Sequence, residues 1–127
     1  MKLWRRHILG LLLLSMCLLI VNQTVHAQSQ SSPPKAKPAL YEFGAGYCHS
    51  CKEMAKVMTE LKTSHSDQVE FRMVYVDKEE PLFKQYKIML IPTQVFLDAS
   101  GKEVDRHIGP LSKEEVLQKL RELKLIR

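Results

Sequence analysis

Two cysteines separated by two residues stand near the middle of the chain, in the segment Cys48-His49-Ser50-Cys51. A C-x-x-C pair that follows a strand and opens a helix is typical of thiol–disulfide exchange. The first cysteine then lies at the helix N-terminus, where free backbone N–H groups and the positive end of the helix dipole favour a thiolate. We therefore predict that Cys48 is the nucleophile and that Cys51 resolves the mixed disulfide formed with a substrate.

The same cysteines allow other interpretations, which their neighbours weaken. A structural disulfide that closes so short a loop gains little from loop entropy. A structural zinc site needs four ligands, whereas only Cys48, Cys51 and His49 are close in the sequence. Covalent haem needs a histidine after the second cysteine, where Lys52 stands. A copper carrier or a non-catalytic binding module stays open as the alternative, and for exchange itself we predict no metal and no cofactor.

The elements that must position the cysteines follow from the apolar pattern, which predicts the order βαβαββα. The predicted strands are 39–43, 69–76, 93–97 and 103–108, and the predicted helices are 51–61, a short helix opened by Pro81 and a last helix capped by Ser112. A strand–helix–strand start requires a crossover between parallel strands, and the turn at 98–102 closes an antiparallel hairpin. The predicted fold class is α/β, with a mixed four-stranded sheet and helices on both faces.

The first 27 residues have the layout of a secretory signal peptide. Basic residues precede a mainly apolar run at 8–21, and the small side chain of Ala27 predicts cleavage before Gln28. An uncleaved anchor is the competing interpretation, although this run is short against the roughly 20 residues of a spanning helix. Residues 28–38 are rich in Ser, Pro, Gln and Lys, which predicts a flexible linker before a domain at 39–127.

Charge argues against nucleic acid as a partner. The chain has 19 basic and 14 acidic residues and a formal charge of +5, but three of the basic residues precede residue 27. The rest of the chain carries a surplus of +2, spread as single basic residues among acids. Such a distribution is an ordinary solvated surface and not a phosphate-binding stripe.

The cysteine motif and four other segments resemble the thioredoxin family over about residues 39–127. The segments are Tyr41-Glu42-Phe43, Gly46-Tyr47-Cys48-His49-Ser50-Cys51-Lys52, Val74-Tyr75-Val76-Asp77, Ile91-Pro92-Thr93, and Gly101-Lys102-Glu103 with Gly109. The resemblance implies a minimal thioredoxin fold. It also implies a cis bond before Pro92 that faces the cysteines, and pairing of the Ile91 backbone with an extended substrate segment. The residues alone place Pro92 only at a strand start or turn.

Glu42 stands where the family has a buried aspartate, six residues before the nucleophile. A carboxyl group on a central strand loses its hydration, which raises its pKa. The resemblance then implies that Glu42 takes the proton from Cys51 and later returns it. The alternative is an edge position in which Glu42 faces solvent.

Three residues around the cysteines are expected to modulate the site. Tyr47 replaces the usual tryptophan and is expected to be a packing lid and part of the substrate-facing rim. His49 and Ser50 replace the common Gly-Pro, so the family's redox potential does not carry over. An imidazolium at His49 would stabilise the Cys48 thiolate, or the residue is only an exposed member of the first helical turn.

Together these features predict an exported thiol–disulfide oxidoreductase of a bacterial periplasm, either soluble or anchored to the inner membrane. Its expected partners are protein disulfides and dithiols and a membrane-linked redox partner that keeps it reduced. Stabilising the Cys48 thiolate raises the reduction potential of the cysteine pair. In the opposite direction, Ile91 before Pro92 resembles the reducing members of the family. We expect a potential between the roughly −270 mV of thioredoxin and the roughly −120 mV of the strongest disulfide oxidant, and net reduction of substrates.

Overall fold

The computed structural model describes residues 36–127. The predicted signal peptide, its cleavage site and most of the predicted linker lie outside the described residues. The strands are β1 (Ala39–Gly44), β2 (Glu70–Tyr75), β3 (Thr93–Leu97) and β4 (Glu103–Ile108), and the helices are α1 (His49–His65), α2 (Glu80–Gln85) and α3 (Lys113–Glu122). Within 36–127, no helix is both long and apolar enough to cross a membrane.

The four strands form one mixed sheet in the order β2-β1-β3-β4. Strand β1 pairs in parallel with β2 across the α1 crossover and antiparallel with β3, and β3 pairs antiparallel with β4 in the predicted hairpin. The predicted mixed four-stranded sheet and the order βαβαββα are therefore confirmed. The first strand of the domain lies in the interior of the sheet, with a neighbour on each side.

Helix α1 is longer than the predicted 51–61 at both ends. Cys48 is its N-cap, and the helix continues past Leu61 through a polar turn that ends at His65. In that turn the Thr63 hydroxyl donates to the carbonyl of Thr59 at 3.0 Å, and basic side chains suit the negative end of the helix dipole. Apolar spacing predicted only the part of the helix that packs against the sheet.

Helices cover both faces of the sheet, as predicted. The face under α1 and α3, called the α1/α3 face, is packed with apolar side chains from Leu40, Phe71, Phe96, Met54, Met58, Leu61, Val116 and Leu120. The opposite face, called the α2 face, is packed with Phe43, Val74, Val95, Leu97 and Phe83. Because successive strand residues point to opposite faces, neighbouring residues of β1 serve different cores.

Helix α3 begins with the predicted capping box at Ser112. The Ser112 hydroxyl accepts from the Glu115 backbone N–H at 3.3 Å, and the Glu115 carboxylate accepts from the Ser112 N–H at 2.7 Å. These two bonds satisfy backbone donors that the first helical turn cannot pair internally. They fix the start of the helix that covers one end of the α1/α3 face.

Candidate active site

Cys48 and Cys51 form a disulfide at the N-terminus of α1, with their Cα atoms 5.2 Å apart. The Cys51 backbone N–H donates to Cys48 Sγ at 3.2 Å, so the sulfur caps the helix. Cys48 is half-buried, whereas Cys51 is only 1% exposed. The structure thus joins the two predicted residues in one site, and only Cys48 offers its sulfur to a large substrate.

The surroundings of Cys48 favour a negative charge on its sulfur. The first turn of α1 contains no acidic residue, and its backbone N–H groups point toward Cys48. Ser50 Oγ lies 3.4 Å from Cys48 Sγ, so its hydroxyl can donate to a thiolate. Ser50 therefore has direct contact with the reactive sulfur.

His49 is exposed at the start of α1. The pKa of Glu53, one turn further along, is held below its usual range, mainly by a hydrogen bond from Lys56 and to a smaller extent by the charge of His49. The imidazole thus lies within the electrostatic reach of a carboxylate on the helix surface. That a protonated His49 stabilises the Cys48 thiolate stays a prediction.

Gly44, the last residue of β1, allows the helix to approach the sheet at Cys51. A side-chain carbon added at Gly44 would lie 3.0 Å from Cys51 Cβ and 3.2 Å from Cys51 Sγ. Contacts that short are tighter than nearly all side-chain contacts, so Cys51 would have to move by a few tenths of an ångström. The absence of a side chain at Gly44 therefore fixes how deep Cys51 lies.

Glu42 is fully buried on β1, two residues before Gly44. It therefore points to the same face of the sheet as Cys51, about 7 Å along the strand from Gly44. Burial raises the pKa of Glu42 to about 8, and a hydrogen bond from Gln94 acts in the opposite direction. The alternative of a solvent-facing edge position is wrong, because β1 is an interior strand.

Gln94 is the polar partner of Glu42 and was not predicted from the sequence. It is fully buried on β3, directly opposite Glu42 in the antiparallel register, and its Nε2 donates to Glu42 Oε2 at 2.8 Å. One signal could have found it. A glutamine inside the buried strand Thr93–Leu97 needs a polar partner, and the only charged residue of the apolar strand Ala39–Gly44 is Glu42.

The Ile91–Pro92 peptide bond is cis, as the family resemblance implied. Thr93 pairs with Phe43, so one step further along the same register Pro92 lies beside Gly44 and hence on the cysteine side of the sheet. The Thr93 hydroxyl donates to the Leu90 carbonyl at 2.7 Å, and the Gly109 N–H donates to the Pro92 carbonyl at 2.9 Å. These bonds hold the loop in place next to the disulfide.

Exposed apolar side chains stand next to the first cysteine and next to the cis-proline segment in the sequence. Tyr47, directly before Cys48, is 82% exposed, so the expectation that it forms a packing lid is wrong. It lies within the turn after β1, where its ring is exposed to solvent. Met89 and Leu90, which precede the cis bond, are 89% and 60% exposed and were not predicted. Exposed apolar groups of this kind suit contact with another protein.

Metal binding has few candidate ligands in this part of the chain. Among residues 36–127, no group of three or more His, Cys, Asp and Glu side chains is arranged to hold a metal ion. A copper site of the kind considered above would therefore depend on the two cysteines alone in this region.

A mixed four-stranded sheet with a cysteine pair at the start of the crossover helix and a cis-proline beside it defines a class of thiol–disulfide exchange proteins. The family model for thioredoxin matches residues 19–122. The chain therefore belongs to the thioredoxin family.

Several relatives carry names from the same chemistry. A "Thiol:disulfide interchange protein TxlA homolog" from Synechocystis sp. is 35% identical over 94 residues, which cover 68% of this chain and 52% of the relative. A thioredoxin from Alicyclobacillus acidocaldarius is 36% identical over 80 residues, which cover 63% of this chain and 75% of that protein. This chain thus spans about half the length of the first relative. The predicted enzyme class, protein-disulfide oxidoreductase, is the class that these names describe.

Solved structures agree on the fold. The X-ray structure of Fasciola hepatica thioredoxin is 30% identical and superposes with a TM-score of 0.62, covering 69% of this chain and 82% of that one. The crystal structure of thioredoxin NaTrxh from Nicotiana alata is 29% identical with a TM-score of 0.61. The predicted thioredoxin fold is therefore confirmed.

Proposed function

We propose that this chain reduces disulfides in exported protein substrates through its Cys48/Cys51 pair. The observation that carries the proposal is the unequal burial of the two cysteines within one disulfide at the N-terminus of α1. Attack on a substrate needs an accessible thiolate, and resolution needs a second thiol within reach of the first. Cys48 meets the first need and Cys51 the second.

The proposed reaction has two exchange steps. The Cys48 thiolate attacks one sulfur of the substrate disulfide, that S–S bond breaks, and the departing substrate sulfur takes up a proton. Cys51 then gives its proton to Glu42 and attacks Cys48 Sγ, which forms the Cys48–Cys51 disulfide and releases the second substrate sulfur. The Glu42 proton passes to that sulfur. Two electrons move from the dithiol to the substrate, so the chain is oxidised as the substrate is reduced.

Substrate contact is proposed for the surface around Cys48. The backbone of Ile91, next to the cis-proline, pairs with an extended substrate segment, and the exposed side chains of Tyr47, Met89 and Leu90 supply apolar contact beside it. Extended segments bind through main-chain hydrogen bonds that are indifferent to sequence, while the neighbouring side chains add preference. Such a surface accepts many protein substrates.

The export of the protein, its location in the cell and the direction of electron flow belong to the same proposal. The layout of residues 1–27 supports secretion across the cytoplasmic membrane into a bacterial periplasm, either as a cleaved protein or with the apolar run as an anchor. Because that compartment is oxidising, a membrane-linked partner must return the oxidised pair to the dithiol. Mass spectrometry of the mature protein tests export, since cleavage leaves Gln28 as the N-terminus and an anchor retains residues 1–27.

Serine substitutions test the roles of the two cysteines. Cys48→Ser should abolish reduction of a protein disulfide such as that of insulin, because the attacking sulfur is gone. Cys51→Ser should instead accumulate mixed disulfides with substrates, because attack continues and resolution stops. Non-reducing gel electrophoresis after an acid quench measures the trapped species. Equal trapping by both variants would overturn the assignment, and loss of wild-type activity on adding a chelator would favour the copper alternative.

A further inference from the structure

The buried Glu42–Gln94 pair contains hydrogen-bonding capacity that its single hydrogen bond does not use. Gln94 Nε2 donates to Glu42 Oε2 at 2.8 Å, and both side chains are fully buried. In the part of the chain that the structure describes, Glu42 Oε1 and Gln94 Oε1 have no hydrogen-bond partner. Buried polar atoms without partners are uncommon in native proteins, and each calls for an explanation.

The two carboxyl oxygens of Glu42 are therefore not equivalent. Oε2 is held by an amide donor that stabilises the negative charge of the carboxylate. Oε1 has no donor, so it is the oxygen at which a proton can be added or removed without breaking an existing bond. The β1–β3 register makes Glu42 and Gln94 direct partners, and the hydrogen bond from Gln94 Nε2 identifies Oε2 as the held oxygen.

We infer that Gln94 is a positioning residue for the resolving step: by holding Glu42 Oε2, it presents Oε1 as the atom that takes the proton from Cys51 and returns it. The inference rests on the proposed function for the identity of that step. It assigns a role to a residue outside the cysteine motif, on the strand that follows the cis-proline.

The neighbourhood of Glu42 makes Gln94 its main polar contact. Under α1, the titratable group on the same face is Cys51, beside Gly44. On the β2 side the register partner is Met73, and beyond Gln94 the register partner on β4 is His107, which is half-buried. Burial raises the pKa of Glu42, and the Gln94 hydrogen bond is what lowers it. Loss of that bond leaves the effect of burial unopposed.

Replacement of Gln94 should therefore weaken Glu42 as a proton acceptor. Gln94→Met keeps the length of an unbranched side chain and removes the amide, so the pKa of Glu42 should rise further. At neutral pH a smaller fraction of Glu42 is then ionised. Release of the second substrate sulfur should slow about tenfold for each unit by which the pKa rises, and should recover at higher pH.

The test uses Ellman's reagent with an excess of the reduced protein. Cys48 attacks the reagent and releases one thionitrobenzoate in a first phase, and Cys51 displaces the second thionitrobenzoate in a slower phase. Gln94→Met should leave the first phase unchanged and move the pH profile of the second to higher pH. Carbon-13 NMR of the Glu42 carboxyl group measures its pKa in the same reduced protein and should show the same displacement.

Two controls isolate the contact. Gln118→Met also removes an amide that donates to a glutamate, at 2.7 Å to Glu122, but on the exposed surface of α3, and it should change neither readout. In a Glu42→Gln background, Gln94→Met should slow the second phase no further. If Gln94→Met does not fold, Gln94→Asn, which retracts the amide by one carbon, should shift both readouts in the same direction by less.

Three results would overturn the inference: an unchanged Glu42 pKa in the folded variant, a raised pKa with an unmoved second phase, or an equal further slowing in the Glu42→Gln background. Failure of the proposed function looks different. The reduced wild-type protein would then leave the insulin disulfides intact, and the carboxyl titration would still decide whether Gln94 controls Glu42.

Discussion

The two faces of the sheet place their polar groups differently. On the α2 face the core cluster consists of apolar and aromatic side chains, the buried hydroxyl of Thr93 lies at the start of β3, and charged Arg72 lies at the rim, where it pairs with Glu79. On the α1/α3 face a carboxyl group and an amide, Glu42 and Gln94, are buried beneath the helix that carries the cysteines. Burial of a carboxyl group costs stability. In the part of the chain that the structure describes, the buried carboxyl group and its cost in stability therefore lie on the α1/α3 face, where they serve the proton transfer proposed above.

The largest expected effect is on the α2 face. Phe43 is fully buried, and its ring packs edge-on against Phe83 with centroids 5.1 Å apart. Phe43→Ala should lower the free energy of unfolding by about 3–5 kcal/mol, because the cavity cannot close completely. Urea denaturation of the oxidised protein measures this change. The matched change Tyr47→Ala, at an exposed aromatic, should stay within about 0.5 kcal/mol; similar losses in both would remove the distinction between core and rim.

The second-largest expected effect is the pH dependence of stability that buried Glu42 causes on the α1/α3 face. Burial raises the pKa of Glu42 to about 8, so between its unfolded value and pH 8 the folded state binds more protons than the unfolded state. The stabilising contribution of protonated Glu42 is complete below the unfolded pKa and is lost as the pH rises through the folded pKa. We expect the free energy of unfolding to fall by about 3 kcal/mol between pH 5 and pH 8.

Glu42→Gln should flatten this dependence on pH, because a glutamine does not titrate. Glu70→Gln, a change at an exposed carboxyl on the neighbouring strand, should preserve it. Urea denaturation at a series of pH values gives both curves. If the wild type and Glu42→Gln lose stability in parallel, the buried carboxyl contributes no specific cost and the two faces are energetically alike.

The smallest effect concerns the rim of the α2 face. Arg72 and Glu79 form an ion pair in which both side chains remain partly exposed. Glu79→Gln should therefore cost less than about 1 kcal/mol, and high salt should reduce the difference, because water and ions screen such pairs. Thermal denaturation at low and high salt measures it. A loss as large as that of Phe43→Ala would mean that charge, too, is important for folding on the α2 face.

The sequence predicted the elements well wherever one local pattern determined the outcome. Cysteine spacing, helix periodicity and the capping residues at Ser112 each depend on a few neighbouring residues. The turn at 98–102 and the segments on each side of it likewise predicted β3 and β4 at the observed bounds. The lower bound of α1 was missed because Cys48 itself caps the helix, a role that its spacing to Cys51 does not reveal.

The environment of the site was harder to predict because it depends on strand pairing. Glu42 is buried because β1 has a strand on each side, and Gln94 meets it because the antiparallel register aligns residues 52 positions apart. A pattern within β3 alone predicts only a buried strand. Tyr47 was expected to form a packing lid, but it lies in the turn after β1 and is exposed to solvent.

The central position of β1 also has a consequence for the order in which the protein is made. Among the strands of residues 36–127, β1 is the first to leave the ribosome, yet one of its neighbours, β3, is not complete until Leu97 has been added. Pairing between segments so far apart must await loop closure and is slow. The contact between Glu42 and Gln94 thus cannot form until β3 has been made, so any nascent chain that ends before Gln94 contains both cysteines and lacks their finished site.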